Sequence, residues 1–502
     1  MTSSQITILI IFILYLVINA IVGIAYSALH DRKQNASAEN KFFIGGRSMN
    51  GLILAMTVMA TYTSVSSFLS GPGAAGMTYG YAQVWVAAVQ VPVTFLVLGV
   101  LGNKLALVSR RTGAVTIVGY LKERYKSDAL VIATSLLMVV FVIAQMIGQF
   151  SGGATLITSI TGLGHVPALL IFGGIVILYT AFGGFSAVAI TDTIQGIIMC
   201  IGTFLLIFFV LKAGGGLAGI DAGLQASSIA ETYDNLTGVY SPGGLLSYWI
   251  LVGFATLGLP QTAVRAMGFK STKNLHSAMW IGAIASAFVL VGMHLAGCWA
   301  GGLSIAAGAP ESSDSFIPYI VQQIMPVGVG GIFLAAPMAA VMSTADSLLI
   351  LAAASIIKDL WRNYVVKDDP VKQESYNRNV KKASVICTII FGVAVILLTI
   401  DPPDIIFFIN MFAFGGLECT FLWPLIGGLF WKKGTKQAAV ASAIGSVAIY
   451  IFFWALNKYA GFSILGFNAV LWGLIGGGII YFAVGFATSK KGLDQDIIDK
   501  CF

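Results

Sequence analysis

The chain has 502 residues, 57% hydrophobic and only 10% charged, whereas an average soluble domain carries roughly 25% charged residues, so a set of ordinary water-facing domains is excluded. A net charge of +7 would suit nucleic acid, but its distribution along the chain is that of a membrane topology, leaving a nucleic-acid partner nothing to explain. Five cysteines (Cys200, Cys298, Cys387, Cys419 and Cys501) lie far apart, which excludes a disulfide framework and a C-x-x-C metal site.

One helical crossing of a bilayer takes about 20 mostly apolar residues. Runs of that kind predict thirteen spans: Ile6–Ser27, Leu52–Ser70, Val84–Leu101, Leu130–Gly148, Pro167–Phe182, Ala187–Leu211, Leu245–Gly258, Ala278–Trp299, Gly331–Ala354, Ala383–Ile400, Ile405–Leu429, Ala438–Leu456 and Ile464–Ala487. They lack the period-two alternation of barrel strands, and in lipid only helices or closed barrels satisfy their backbone polar groups. The first run has no basic residues before it and is long enough to span, so it reads as a retained helix and not a signal peptide. With thirteen spans, 26 of the 28 Lys and Arg fall on one side, and only Lys212 and Lys458 fall opposite, among Asp221, Glu231, Asp234, Glu311, Asp314, Asp401 and Asp404. The positive-inside rule then puts the N-terminus outside and the C-terminus in the cytoplasm, in a multi-pass protein of the plasma (inner) membrane.

The second span is crowded with hydroxyls, at Thr57, Thr61, Tyr62, Thr63, Ser64, Ser66, Ser67 and Ser70, before it meets Gly71-Pro72-Gly73. Such a segment fits either a helix–helix interface or an unwound stretch lining a cavity, with the break expected at the Gly-Pro-Gly. In the sixth span Asp192 is an intramembrane carboxylate, a functional candidate by default. The seventh span carries a matching interruption, with Gly253, Gly258, Pro260 and Gln261. Paired broken helices in corresponding halves mark transporter binding sites. Spans two and seven are five apart, an odd number, so the two five-span units enter the membrane with opposite orientation.

His294 in the eighth span has no second His or Cys at ligand spacing and reads as an interior histidine. In the ninth span Ala340, Ser343 and Thr344 sit at i, i+3 and i+4, on one helix face. Their hydroxyls and a neighbouring carbonyl suit a hard cation, or bond back to the preceding turn. Asp346, two residues on, would tune such a site. Glu418 in the eleventh span is a candidate gate. Were H⁺ the driving ion, Asp192, Asp346 and Glu418 would be the proton carriers.

Several motifs together resemble the sodium:solute symporter family from about Phe42 to Trp431. They include Gly45-Gly-Arg-Ser-Met49, Ala55-Met-Thr-Val-Met-Ala-Thr-Tyr62, Ser66-Ser-Phe-Leu-Ser-Gly-Pro-Gly-Ala-Ala75, Tyr179-Thr-Ala-Phe-Gly-Gly-Phe185 and Thr191-Asp-Thr-Ile-Gln195. Further on come Gly258-Leu-Pro-Gln-Thr-Ala-Val-Arg265, Phe333-Leu-Ala-Ala-Pro-Met-Ala-Ala-Val-Met-Ser-Thr344 and Ala413-Phe-Gly-Gly-Leu-Glu418. The resemblance implies an all-α membrane protein with the leucine-transporter-type 5+5 inverted repeat. It would comprise an N-terminal helix and basic loop (1–50), a first repeat (51–213), a second repeat (244–431), and two C-terminal helices with a short tail (432–502). It also implies Na⁺ as coupling ion, held by the carbonyls of Ala60, Thr63 and Ala340 and the hydroxyls of Ser343 and Thr344. Asp192 matches a position linked to Na⁺ coupling.

Within the family the resemblance is greatest to members that carry pantothenate. Proline-carrying members have Asp where Tyr62 stands, which speaks against an amino-acid substrate. Pantothenate has a carboxylate, two hydroxyls and an amide, and Tyr62, Ser64, Ser67, Gln90, Gln149, Trp249 and Gln261 are the expected lining. No Lys or Arg is expected in mid-span, so half-helix dipoles and Na⁺ would compensate the carboxylate. The rival within this class is a symporter of another small monocarboxylate such as lactate or acetate. A channel would need a filter such as Thr-Val-Gly-Tyr-Gly, and an enzyme would need clustered His, Asp or Cys facing water; neither pattern is present. No organic cofactor and no obligatory protein partner are expected.

Overall fold

The computed structural model describes residues 3–33, 38–489 and 494–502; Lys490 and Lys491, counted among the basic residues above, lie outside them. The described chain is helical, apart from its connections and an isolated bridge between Met49 and Phe269. In order come α1 (Ser3–Lys33), α2 (Gly51–Tyr62), α3 (Val65–Tyr79), α4 (Tyr81–Thr112), α5 (Asp128–Thr161), α6 (His165–Ala213), α7 (Pro242–Gly258), α8 (Pro260–Met267) and α9 (Thr272–Ala300). Then follow α10 (Ser313–Ile324), α11 (Val327–Val366), α12 (Pro370–Leu398), α13 (Ile406–Phe430), α14 (Lys436–Ala460) and α15 (Ala469–Thr488).

Ten of the described helices are long and apolar enough to cross a membrane, or twelve if α2/α3 and α7/α8 each count as one bent span. The thirteenth expected span requires α6 to cross twice. Its 49 residues would extend about 74 Å as one rod at about 1.5 Å per residue, against a hydrocarbon core of about 30 Å. Gly184 turns it, at φ 64° and ψ −172°. That left-handed region favours glycine, and the Phe42 ring packs where a β-carbon would stand.

The two bent pairs turn by 84° (α2/α3) and 47° (α7/α8). The first break is not at Gly71-Pro72-Gly73 but seven residues earlier. The Ser64 amide closes onto Tyr62 O at 3.0 Å around Thr63 (φ −77°, ψ 84°), an inverse γ-turn. Gly71-Pro72-Gly73 is helical, and Pro72 sits in a first turn where its missing N–H costs nothing. The glycines serve close packing instead: a β-carbon on Gly73 would stand 2.0 Å from Ser313 O, one on Gly297 2.3 Å from Pro72 O, and one on Gly301 2.2 Å from Gly76 O.

α11 is buried on all sides, as a helix without a polar face must be. It packs against α6, α5, α1 and α2. The basic sets gather at one end of the bundle, where Arg47 donates to Ser109 O (2.9 Å), Arg110 to Phe269 O (2.7 Å) and Arg124 to Gly428 O (2.9 Å). At the other end Tyr79 stacks on Tyr240 and Lys458 pairs with Asp404 at 3.3 Å. Arg124 and Arg265 are not loop charges, since each is only 1% exposed.

Candidate ion and solute site

The γ-turn at Thr63 strips two carbonyls of α2 of their usual donors. In an α-helix Ala60 O and Thr61 O would accept from the amides of residues 64 and 65. Ser64 N instead bonds Tyr62 O, and Val65 N bonds Gln149 Oε1 at 3.2 Å. The freed carbonyls meet α11: Ser343 Oγ donates to Ala60 O at 3.0 Å and to Ala340 O at 3.1 Å, and Thr344 Oγ1 donates to Thr61 O at 3.3 Å. Five neutral oxygens thus converge in a wholly buried place. Such a set fits a small hard cation, which prefers oxygen ligands.

Four of the five expected ion-site residues are brought together here, namely Ala60, Ala340, Ser343 and Thr344. Thr61 joins them unforeseen; Thr63, expected through its carbonyl, is the centre of the turn itself, and its hydroxyl lies 3.5 Å from Met59 Sδ.

Behind these oxygens lies a buried polar network. Asp192 Oδ2 accepts from Thr57 Oγ1 (2.5 Å) and from Arg265 Nη2 (3.2 Å). Arg265 also donates to Thr57 Oγ1 (2.9 Å), to Gln261 O (2.6 Å) and to Ser347 Oγ (2.6 Å), and Ser347 donates in turn to Ser343 O (2.7 Å). Asp346 accepts from Tyr179 (2.5 Å) and Ser347 (3.2 Å). The expectation that no basic side chain enters the bundle is therefore corrected. The bend at α7/α8 carries Arg265 inward, where it is already paired with Asp192.

Beside the break is a small cavity of about 20 Å³, lined by Tyr62, Ser64, Ser66, Ser67, Gln83, Val86, Gln90, Val252, His294, Phe407, Met411 and Phe414. Tyr62, Ser64, Ser67 and Gln90 were expected there. Tyr62 bonds to Ser286 through its hydroxyl and lies 3.4 Å from Thr94 Oγ1. Three other expected lining residues are elsewhere. Gln149 holds the break, taking Val65 N and donating to Asn410 Oδ1 at 2.9 Å. Gln261 donates to Gln145 at 3.2 Å, and Trp249 lines none of this cavity. Glu418, the expected gate, is wholly buried, and neither of its oxygens has a partner among the described residues.

His294, read as an interior histidine, is hydrogen-bonded among the described residues through Nδ1. This nitrogen bonds Leu290 O at 2.8 Å, and the ring borders the cavity with Nε2 turned toward Gly71. A wider chamber of about 390 Å³, lined among others by Tyr79, Tyr240 and Glu311, shares Gln83 and Phe407 with the small cavity. A methyl group on Gly71 would lie 2.4 Å from His294 Nε2 and 2.7 Å from Ser66 O. Gly71→Ala is therefore expected to abolish solute uptake while the protein still reaches the membrane, as measured by uptake normalised to protein in isolated membranes.

Residues 42–445 match the model of the sodium:solute symporter family. Over 460 residues the chain is 39% identical to the sodium/pantothenate symporter of Escherichia coli, across 91% of this chain and 93% of that one. It is 40% identical over 461 residues to the sodium/pantothenate symporter of Haemophilus influenzae, across 91% of each. It is 27% identical over 471 residues to a sodium/proline symporter of Staphylococcus aureus, across 92% and 90%. Among solved structures the fold is similar to a Na⁺-coupled sialic acid symporter in a substrate-bound outward-open state. The TM-score is 0.76 at 19% identity, over 97% of this chain and 99% of that one. It is also similar to a nucleobase-cation-symport-1 family transporter in a closed conformation, with a TM-score of 0.53 at 15% identity over 93% and 98%.

Proposed function

Because the chain belongs to the sodium:solute symporter family, we propose that it is a secondary active transporter that imports pantothenate together with Na⁺ by alternating access. The observation that carries this reading is the pair of freed carbonyls, Ala60 O and Thr61 O, facing the hydroxyls of Ser343 and Thr344. We place the ion among these oxygens with Ala340 O, and keep Thr63 as a candidate ligand.

The break that makes the ion site also makes the solute site. α2 ends there and presents the negative end of its dipole to a cation; α3 begins there, bringing Ser64, Ser66 and Ser67 and the positive end of its dipole toward the cavity. Ion and carboxylate thus sit on opposite sides of one turn and attract each other, so each favours binding of the other. We assign the solute's polar contacts to Tyr62, Ser64, Ser67, Gln90 and His294. Gln149 and Gln261 act by holding the two broken helices.

The cavity of about 20 Å³ has room for about one water, so an organic anion enters only as the helices part. The five-span repeats, 51–213 and 244–431, would move against each other to do this. Residues 1–50 and 432–502 flank them, with the N-terminus outside and the basic end of the bundle in the cytoplasm of the inner membrane.

Labelled pantothenate uptake into proteoliposomes tests the reading. An inward Na⁺ gradient should drive accumulation, choline in its place should abolish it, and excess lactate or acetate should leave it unchanged. Uptake indifferent to Na⁺ would refute the coupling, and competition by lactate or acetate would move the substrate to small monocarboxylates.

A further inference from the structure

α1 lies along α6 and α11 with its apolar side chains turned outward; Ile10, Leu14, Ile18 and Ile21 are all exposed. Its inner face is not uniformly apolar. Gly23 packs on Thr191 and Ala187 of α6, and one turn back Asn19 comes level with Gln195, one turn along α6 in the antiparallel sense. Tyr15, a further turn back, stands beside both Asn19 and Gln195 and within electrostatic reach of Asp192 and Asp346.

Asn19 is 3% exposed and Gln195 and Asp192 are wholly buried. Yet Tyr15 Oη, Asn19 Oδ1 and Nδ2, Gln195 Oε1 and Nε2, and Asp192 Oδ1 complete no well-formed hydrogen bond among the described residues, although Tyr15 stands close enough to Asn19 and Gln195 to interact with both. Six such polar atoms in one buried place would be costly if left dry. Their mixture of donors and acceptors, with one carboxylate oxygen, is what buried water satisfies, at about three hydrogen bonds per molecule.

We propose that Tyr15, Asn19 and Gln195 hold ordered water against the free oxygen of Asp192, and that they are positioning residues for ion coupling. Asp192 presents its other oxygen to Thr57 and Arg265, and Arg265 reaches Ser343 through Ser347. The N-terminal helix is thereby joined to the ion ligands by a continuous hydrogen-bonded path, although it touches neither ion nor solute. Loosening the water shell lets Asp192 and Arg265 shift, and the Ser343 ligand shifts with them.

This inference rests on the Na⁺ site proposed above, and the test separates the two. Na⁺ half-saturation and pantothenate KM at saturating Na⁺ would be measured in proteoliposomes for wild type, Asn19→Leu, Gln195→Leu and Tyr15→Phe. The leucine variants are expected to raise Na⁺ half-saturation about fivefold or more, the scale of one lost buried hydrogen bond, with KM moved less than about twofold. Gln195→Asn should restore part of the loss. Tyr15→Phe removes one oxygen and keeps the ring, so it decides the matter if the leucine variants fail to accumulate.

Wild-type Na⁺ dependence in all three variants would overturn the inference. So would parallel shifts in Na⁺ half-saturation and KM, which would mark a packing role. Na⁺-independent uptake by the wild type would instead remove the transport reading itself.

Discussion

Replacing Ser343 and Thr344 together by alanine should raise the Na⁺ concentration for half-maximal uptake by about a hundredfold, two buried oxygen ligands at about 1.4 kcal/mol each. Pantothenate KM at saturating Na⁺ should change by less than about threefold. The asymmetry follows from the geometry. Both hydroxyls face carbonyls of α2, and neither residue borders the cavity that Ser64 and Ser67 line. Uptake measured against Na⁺ at several fixed pantothenate concentrations checks this. Wild-type Na⁺ dependence in the double variant would move the ion elsewhere, and an equal loss in both parameters would mean that the two hydroxyls hold α2 to α11 and do no more.

Arg265→Met should destabilise the protein by about 3–5 kcal/mol, because it leaves the Asp192 carboxylate buried without its counter-charge. The substitution also strips donors from Gln261 O, Ser347 Oγ and Thr57 Oγ1. The double variant Arg265→Met with Asp192→Asn should recover most of that stability, since a buried ion pair is often worth little more than a neutral replacement of similar volume. Thermal unfolding of the two variants in detergent gives the comparison. The rescued double variant should fold and yet transport poorly with Na⁺, since it lacks the carboxylate linked to the ion ligands. A single variant as stable as the wild type would show that the network contributes nothing to the fold.

The proposed ion site was the more legible part of the sequence. Spacing alone put Ala340, Ser343 and Thr344 on one face of a continuous helix, and a continuous helix preserves such spacing. The break in the first bent span was legible in kind but misplaced. Gly71-Pro72-Gly73 looks like chain punctuation, but those residues are small because α9 and α10 come within backbone distance of them. The turn itself falls on Thr63 and Ser64, whose types do not announce it.

Arg265 misled for a related reason. A basic residue just after Gly-Leu-Pro-Gln reads as the start of a loop, whereas the chain turns by 47° between α7 and α8 and carries it back into the bundle. Gln90 and Gln149 are indistinguishable by composition, since both are amides in apolar runs. Helix rotation, which sequence does not set, turns one to the cavity and the other to the γ-turn. His294 bonds a carbonyl of its own helix through Nδ1 while its ring borders the cavity, and only coordinates separate those roles.

The contact of α3 with α9 and α10 has a mechanical consequence. Helices usually lock through interdigitated ridges of side chains, which fix both angle and register. Where Gly73 meets the Ser313 carbonyl and Gly297 and Gly301 meet the backbone of Pro72 and Gly76, backbone lies on backbone, with the Phe316 side chain against Gly73 and Gly76. Sliding or tilting along such a seam asks few side chains to climb over one another, which suits α3 to act as a lever against α2. Fitting this seam with even small side chains would turn it into a brake.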